Sequence, residues 1–564
     1  MLPRALGSLV VAAALAATVL PAAVAVPNPI QRENALAGSA GWQAEQAPFR
    51  AVEGYASEVS VAPGDTIHFH VQTTPAARYR IELYRLGWYD GTGGRLVACG
   101  PGCATDEQGS PRPVRPFDRA TGYLAAEWPV TDTLRVGEGW VSGYYLARVR
   151  LTSGPHAGRT TKIPLIVREL QVGRGSAILA QAPVNTWQAY NSWGGRSLYS
   201  SFDGIGSSHV SFERPYIHGE QDLFEWEYQM VRFLEREGYD VSYTTSVDLD
   251  RETGEPQRHR LFMSLGHDEY WTKTIRDALE LARGAGTNLA FMGGNVGYWQ
   301  MRYADNGRTI VEYRDGSRDP EPNRKLKTTL FRTLIPSRAE CELLGAQWQG
   351  GIGRVADYPV NDAALGHPWF AGTGFTPGSV LAKVIGGEWD GIQPGCKTPR
   401  PTVFFHYSGE NSGQPGPADT LRYVADSGAR VFHAATLRFS WGLDSFGTGL
   451  PGPDTRLQQF MRNALDDLTR PARPALAPVR RRHEVRLGIG RRPDARVRYV
   501  AIYRHRGGGR FRPASPGAEL VCATLAPTCV DTTPPPEGPF RYLAIARDPW
   551  GASYPVFSKR LRFR

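Results

Sequence analysis

"RLFMSLGHDEYWTKTIRDALELARGAGTNLAFMGGN", Arg260 to Asn295, decides the architecture. A short apolar run, "RLFMSL", ends in the polar cluster "GHDEYW". A helical pattern follows over "TKTIRDALELARGAG", and a second apolar run, "NLAFM", ends in "GGN". Strand, helix and strand in so short a span predict parallel strands joined by a helical crossover.

The alternation continues on both sides. "SAILAQA" (Ser176–Ala182) and "YDVSYTT" (Tyr239–Thr245) read as strands. "QDLFEWEYQMVRFLEREG" places Leu223, Trp226, Met230 and Leu234 on one helical stripe, with Gly238 as its stop. "ARVFHAA" and "DTRLQQFMRNALDDL" supply a last strand and helix. Residues 174–470 are therefore expected to form a doubly wound, glutamine-amidotransferase-like α/β domain with a parallel sheet. A Gly/Pro-rich insertion over about 305–420 is read as irregular and as building walls around a site.

The flanks are β. From about 31 to 169, "GYASEVSVAPGDTIHFHVQTT", "RYRIELYRLGWYDGTGG", "SGYYLARVRLTSG" and "KIPLIVREL" alternate between Gly, Pro and Asp turns, which predicts an antiparallel β-sandwich. After the linker "TRPARPALAP", residues 471–564 return to strands and resemble a fibronectin type III module. Linkers of this composition carry few cross-contacts, so the tail is expected to be separable.

The first residues, "MLPRALGSLVVAAALAATVLPAAVA", read as a secretory leader cut after Ala25, with no membrane span afterwards. A secreted, extracytoplasmic protein follows. Its six cysteines fall into the local couples Cys99/Cys103, Cys341/Cys396 and Cys522/Cys529, expected as disulfides in an oxidising compartment. That leaves no thiol for catalysis, and no Cys lies at a strand-to-helix elbow of the α/β domain.

Of the chain's 564 residues, 41% are apolar and 11% aromatic, which is globular composition. The formal net charge of +10 is unevenly spread. Residues 471–564 hold nineteen Lys and Arg against six Asp and Glu, a net of +13, leaving the rest at −3. Such a tail suits an anionic surface polymer, or is simply an Arg-coated face. No nucleic-acid-binding motif accompanies it, so no specific nucleic acid is expected.

In open parallel sheets, ligands bind beyond the carboxyl ends of the strands. Three strands here end in polar clusters: "NTWQAYNSWGGRSLY" (Asn185–Tyr199), "GHDEYW" and "GGN". If these strands are neighbours, Tyr190, Tyr199, His267, Glu269 and Asn295 converge. In extended backbone His267 and Glu269 share a side while Asp268 points away. Two phenolates and a carboxylate would form an all-oxygen site, suited to Fe(III) and unlike the His/Cys sets that zinc prefers.

"GYASEVSVAPGDTIHFHV", "YRIELYRLGWYDGTGG", "NTWQAYNSWGGRSLY", "GHDEYW", "GGNVGYWQMR" and "RFSWGLD" together resemble the N,N-dimethylformamidase beta (large) subunit family over roughly Gly54 to Leu468. The resemblance implies a mononuclear iron held by two tyrosines and one glutamate: Tyr190, Tyr199 and Glu269, with Tyr216 in "RPYIHGE" competing for the second phenolate. It implies roles near the metal for His267 and Asn295. Enzymes of that type work inside the cell with a small partner subunit, whereas this chain reads as exported and carries its own tail.

Two functions follow as expectations. One is an iron-dependent amidohydrolase acting on a small amide or cell-surface substrate. In it His267 would move a proton and Asn295 would donate to the developing oxyanion. The alternative is a non-catalytic exported protein that binds carbohydrate or cell-wall polymer through aromatic loops.

Overall fold

The computed structural model describes residues 26–170, 175–199, 206–217, 223–351, 354–411 and 414–562. The leader, residues 1–25, lies outside them. The chain is rich in strands, gathered into several sheets, with few helices.

The central sheet has seven strands: β1 (Ile178–Ala182), β2 (Val241–Thr245), β3 (Leu261–Leu265), β4 (Asn288–Met292), β5 (Thr402–Tyr407), β6 (Ala418–Val424) and β7 (Arg430–His433). Their spatial order is β2-β1-β3-β4-β7-β6-β5. The first five in that order run parallel, as the crossover pattern requires, but β6 and β5 are antiparallel additions at one edge. The sheet is therefore mixed rather than parallel throughout. The insertion is also less irregular than its composition implies: β5 lies within it and forms the edge strand. Its alternation is hidden by Gly- and Pro-rich turns and by a bulge between Val403 and Phe405.

Alternate residues of the parallel strands enter different cores. Phe262, Leu289, Phe291 and Val431 join a cluster with Ile275 and Leu279 of α2 (Lys273–Gly284). Met263, Ala290, Met292 and Phe432 join another with Phe460, Met461 and Leu465 of α3 (Thr455–Leu468). A two-residue side-chain period fed into two clusters means both faces of the sheet are covered. Each helix starts at a side-chain cap. Thr272 Oγ1 accepts from Ile275 N–H at 3.0 Å, and Asp454 Oδ1 from Arg456 N–H at 2.8 Å.

Upstream, a three-stranded sheet (52–56, 66–73, 132–135) and a larger, mainly antiparallel sheet share one apolar cluster that includes Ile67, Phe69, Val71, Ile81, Leu83, Val149 and Leu165. Downstream, a three-stranded and a six-stranded sheet share Val485, Leu487, Ile502, Tyr542 and Ala544. All three local cysteine couples are bridged, with Cα atoms 5.0, 5.8 and 6.7 Å apart in chain order. Among the described residues no helix is long and apolar enough to cross a membrane.

The tail is not loosely tethered. Arg260, at the start of β3, reaches Asp494 at 2.7 Å and Asp548 at 3.3 Å, all three side chains fully buried. Arg496 donates to Thr287 Oγ1 and to the Gln257 carbonyl. The linker's composition says nothing of these charges, because their partners lie far away in sequence. The expectation that few contacts cross the linker is corrected accordingly.

Candidate active site

The polar cluster after β1 begins as a helix, α1 (Val184–Tyr190). Every residue from Val184 to Ala189 is buried, so no polar face exists to reveal a helical period. Its aromatic content divides in two. Trp187 and Trp193 are buried as packing, while Tyr190, at the last position of α1, and Tyr199 turn toward the end of β3.

There they meet Glu269. Tyr190 Oη donates to Glu269 Oε2 at 2.9 Å, and Tyr199 Oη lies 2.9 and 3.0 Å from the two carboxylate oxygens. The two phenol rings stack with centroids 4.3 Å apart. Tyr216 instead sets its ring edge-on to Trp187. As two-residue alternation requires, His267 shares the side of Glu269, with Nε2 at 3.5 Å from Oε2. Asp268 turns the other way and accepts from Gln181 and from Ser264, at 2.7 Å for the latter.

β1, β3 and β4 are neighbours, so their ends converge. The turns touch through glycine. A Cβ at Gly293 would stand 1.9 Å from the Gly266 carbonyl oxygen, and one at Gly294 2.5 Å from that of Glu388. Asn295 follows with φ +54°, a left-handed conformation that asparagine tolerates better than most residues.

Asn295 makes contacts beyond the role expected of it. Its Nδ2 donates to Glu388 Oε2 at 2.9 Å and its backbone N–H to Asp390 at 2.8 Å. The amide expected to face an oxyanion is thus engaged in holding a second carboxylate. Asn295 Oδ1 is buried without a hydrogen-bond partner.

Glu388 is the residue that sequence reading missed. Its Oε2 lies 2.9 Å from His267 Nε2, and its Oε1 accepts from Trp348 Nε1 at 3.2 Å. It sits in "GGEWDG", Gly386–Gly391, where a carboxylate between a glycine pair and a tryptophan echoes the "GGN" turn. Tyr270 and Arg314 were missed as well. Tyr270 Oη is 2.5 Å from Tyr199 Oη, and the Arg314 guanidinium lies 3.7 Å over the Tyr199 ring while donating to Tyr270.

Electrostatics separate the two carboxylates. Burial, reinforced by Glu388, raises the Glu269 carboxyl above its usual range, against His267 and the two phenols. Burial and the Glu269 charge push both Tyr190 and Tyr199 well above the usual phenol range. Burial alone would also raise Glu388, but hydrogen bonds from His267, Asn295 and Trp348 outweigh it and hold the carboxyl low. Two phenols packed on a buried carboxylate resist ionising together with it unless a cation compensates them.

Against known proteins, a family model described as N,N-dimethylformamidase beta subunit-like, C-terminal, matches residues 80–454. That is about two thirds of the chain. The protein belongs to the N,N-dimethylformamidase beta subunit-like family. The matched region spans every residue of the candidate site, from Tyr190 to Asp390. No curated protein matches the chain. Among solved structures, a crystal structure of domains from titin aligns with 91% of this chain and 99% of its own at 9% identity, with a TM-score of 0.15, too low to bear on the fold.

The donor set is chemically compatible with the iron that the sequence resemblance implies. Among the described residues no group of three or more His, Cys, Asp and Glu has metal-binding geometry. Two phenol oxygens and a carboxylate on one point form instead a hard, all-oxygen set, which favours a hard ion such as Fe(III). Tyr190, Tyr199 and Glu269 are the residues of this dimethylformamidase-like protein that would hold it.

Proposed function

We propose that the protein is an exported, iron-dependent hydrolase of a carbon–nitrogen amide bond. One observation carries the reading. Two phenol oxygens sit on the two oxygens of one buried carboxylate, and a second carboxylate stands one histidine away. The first group suits a metal and the second suits moving a proton.

Iron, when bound, supplies Lewis acidity toward an amide carbonyl and makes water more acidic. The chain's own residues do the rest. Glu388, held ionised by three donors, accepts a proton from the attacking water as its oxygen bonds to the carbonyl carbon. His267 Nε2, between Glu388 and Glu269, passes a proton to the amide nitrogen. The C–N bond then breaks, releasing an amine and a carboxylic acid. Asn295 and Trp348 hold Glu388 in place throughout. Family membership supports the amide substrate, and three disulfides among six cysteines favour an oxidising compartment.

Tyr190→Phe removes a donor oxygen and keeps the ring, and Glu269→Gln removes a charge at nearly constant volume. Both are expected to stay folded, to lose iron by metal analysis together with visible tyrosinate absorption, and to lose hydrolysis of N,N-dimethylformamide or a larger amide. Variants that bind iron as the parent does would reject this reading and leave the carbohydrate-binding alternative.

A further inference from the structure

Where the tail docks on the α/β core lies a cavity of about 330 Å³, well away in the fold from Glu269. Its charges do not balance. Arg422 and Arg430 enter from β6 and β7, and Arg473 from the linker, against one lining carboxylate, Asp467. Asp467 is already occupied: Oδ1 pairs with Arg430 at 2.8 Å, and Oδ2 accepts from Trp369 Nε1 at 3.3 Å. Arg422 is left 3.7 Å from it, with a buried Nε that has no hydrogen-bond partner. Arg473 stands near the Tyr554 ring of the tail, 5.1 Å from its centroid, with no carboxylate within ion-pair distance among the described residues.

The remaining wall also offers a donor. His367 Nδ1 accepts from the Trp369 N–H at 3.2 Å, which places the proton of the neutral ring on Nε2. Burial, reinforced by Arg422, brings that imidazole down to about 4, so it is neutral at ordinary pH. Burial likewise lowers Arg430, to about 10, despite Asp467.

We propose that this cavity binds an oxyanion, a carboxylate or phosphate group, gripped by Arg422 and Arg473 from the two sides of the core–tail junction. Arg422, held to Asp467 only at 3.7 Å, and Arg473, exposed and without a carboxylate, are matched by such groups, which accept several charge-assisted hydrogen bonds at once. The anion comes either free in solution or as a substituent of a surface polymer, and the chemistry of recognition is the same for both.

The test is calorimetric titration of the full chain at low salt with inorganic phosphate and, separately, with polygalacturonate. Saturable binding is expected for phosphate, with a rise in melting temperature. Arg422→Gln and Arg473→Gln should each weaken binding at least tenfold. Arg510→Gln, which removes a tail charge outside the cavity, should not. Polymer that binds and competes with phosphate identifies a polymer-borne anion, and phosphate binding without polymer binding identifies a free one. Because Arg473 is exposed, its variant should fold even if Arg422→Gln does not. Parental affinity in Arg473→Gln, equal weakening by Arg510→Gln, or no saturable binding of either probe overturns the proposal.

Discussion

Glu388 Oε2 stands 2.9 Å from His267 Nε2, although the two residues arrive on separate turns of distant segments. That contact joins the insertion to the end of β3 and gives the site its second carboxylate. If Glu388 takes the proton, Glu388→Gln should retain iron, because its carboxylate is not among the proposed ligands. Amide turnover should fall by about 10²–10⁴-fold. Metal analysis beside kcat checks this, and an unchanged kcat would remove Glu388 from the mechanism.

Gly293→Ala tests the packing of the turns. The new methyl would meet the Gly266 carbonyl at 1.9 Å, and backbone cannot yield as a side chain does. Destabilisation of about 2–3 kcal/mol or more is expected, with displacement of His267. Thermal melts and chemical denaturation measure the first effect, and loss of activity in the folded fraction the second.

Asp494→Asn tests the docked tail. It leaves Arg260 fully buried with a weakened counter-charge, and breaking one partner of such a pair costs about 3–5 kcal/mol. Asp548, at 3.3 Å, offsets part of that. A shortened chain ending before Pro471 loses both carboxylates and should aggregate in size-exclusion chromatography. A monomeric truncated core with the parent's melting temperature would restore the separable tail.

Glu255 predicts a pH effect. Burial, reinforced by Asp248, moves its carboxyl from 4.5 up to about 7, despite the bond from Thr244. Folded protein therefore holds a proton that the unfolded chain releases. The contribution to stability is complete below pH 4.5 and is lost as pH rises through 7. Glu255→Gln should melt higher relative to the parent at pH 8 than at pH 4.5, by up to about 3 kcal/mol. A difference that does not vary with pH would contradict the assignment.

Much of this was legible before the fold. The β3–α2–β4 unit announces itself through period and punctuation, and parallel neighbours place Tyr190, Glu269 and Asn295 at one edge. Spacing of two sends His267 and Glu269 to the same side. Glu388 escaped because its one local cue, the glycine pair of "GGEWDG", is commonplace in a Gly-rich insertion. Its partners are set by a bend at Gly387 (φ +70°) and by contacts with distant residues. Helix α1 escaped because complete burial erases amphipathicity, and Arg260–Asp494 because charge pairing across hundreds of residues leaves no sequence period.

The Cys341–Cys396 bridge divides the site in a way that bears on where the protein can work. The loop it closes, between cysteines 55 positions apart, contains Trp348 and Glu388 but none of Tyr190, Tyr199 and Glu269. Within it the strands 347–350 and 389–391 pair directly. A thiol-reducing environment would slacken the proton-handling arm while leaving the proposed metal-holding triad on its strand ends. On the proposed function, a chain with this bridge reduced should still bind iron yet turn over little substrate, which would tie activity to an oxidising space.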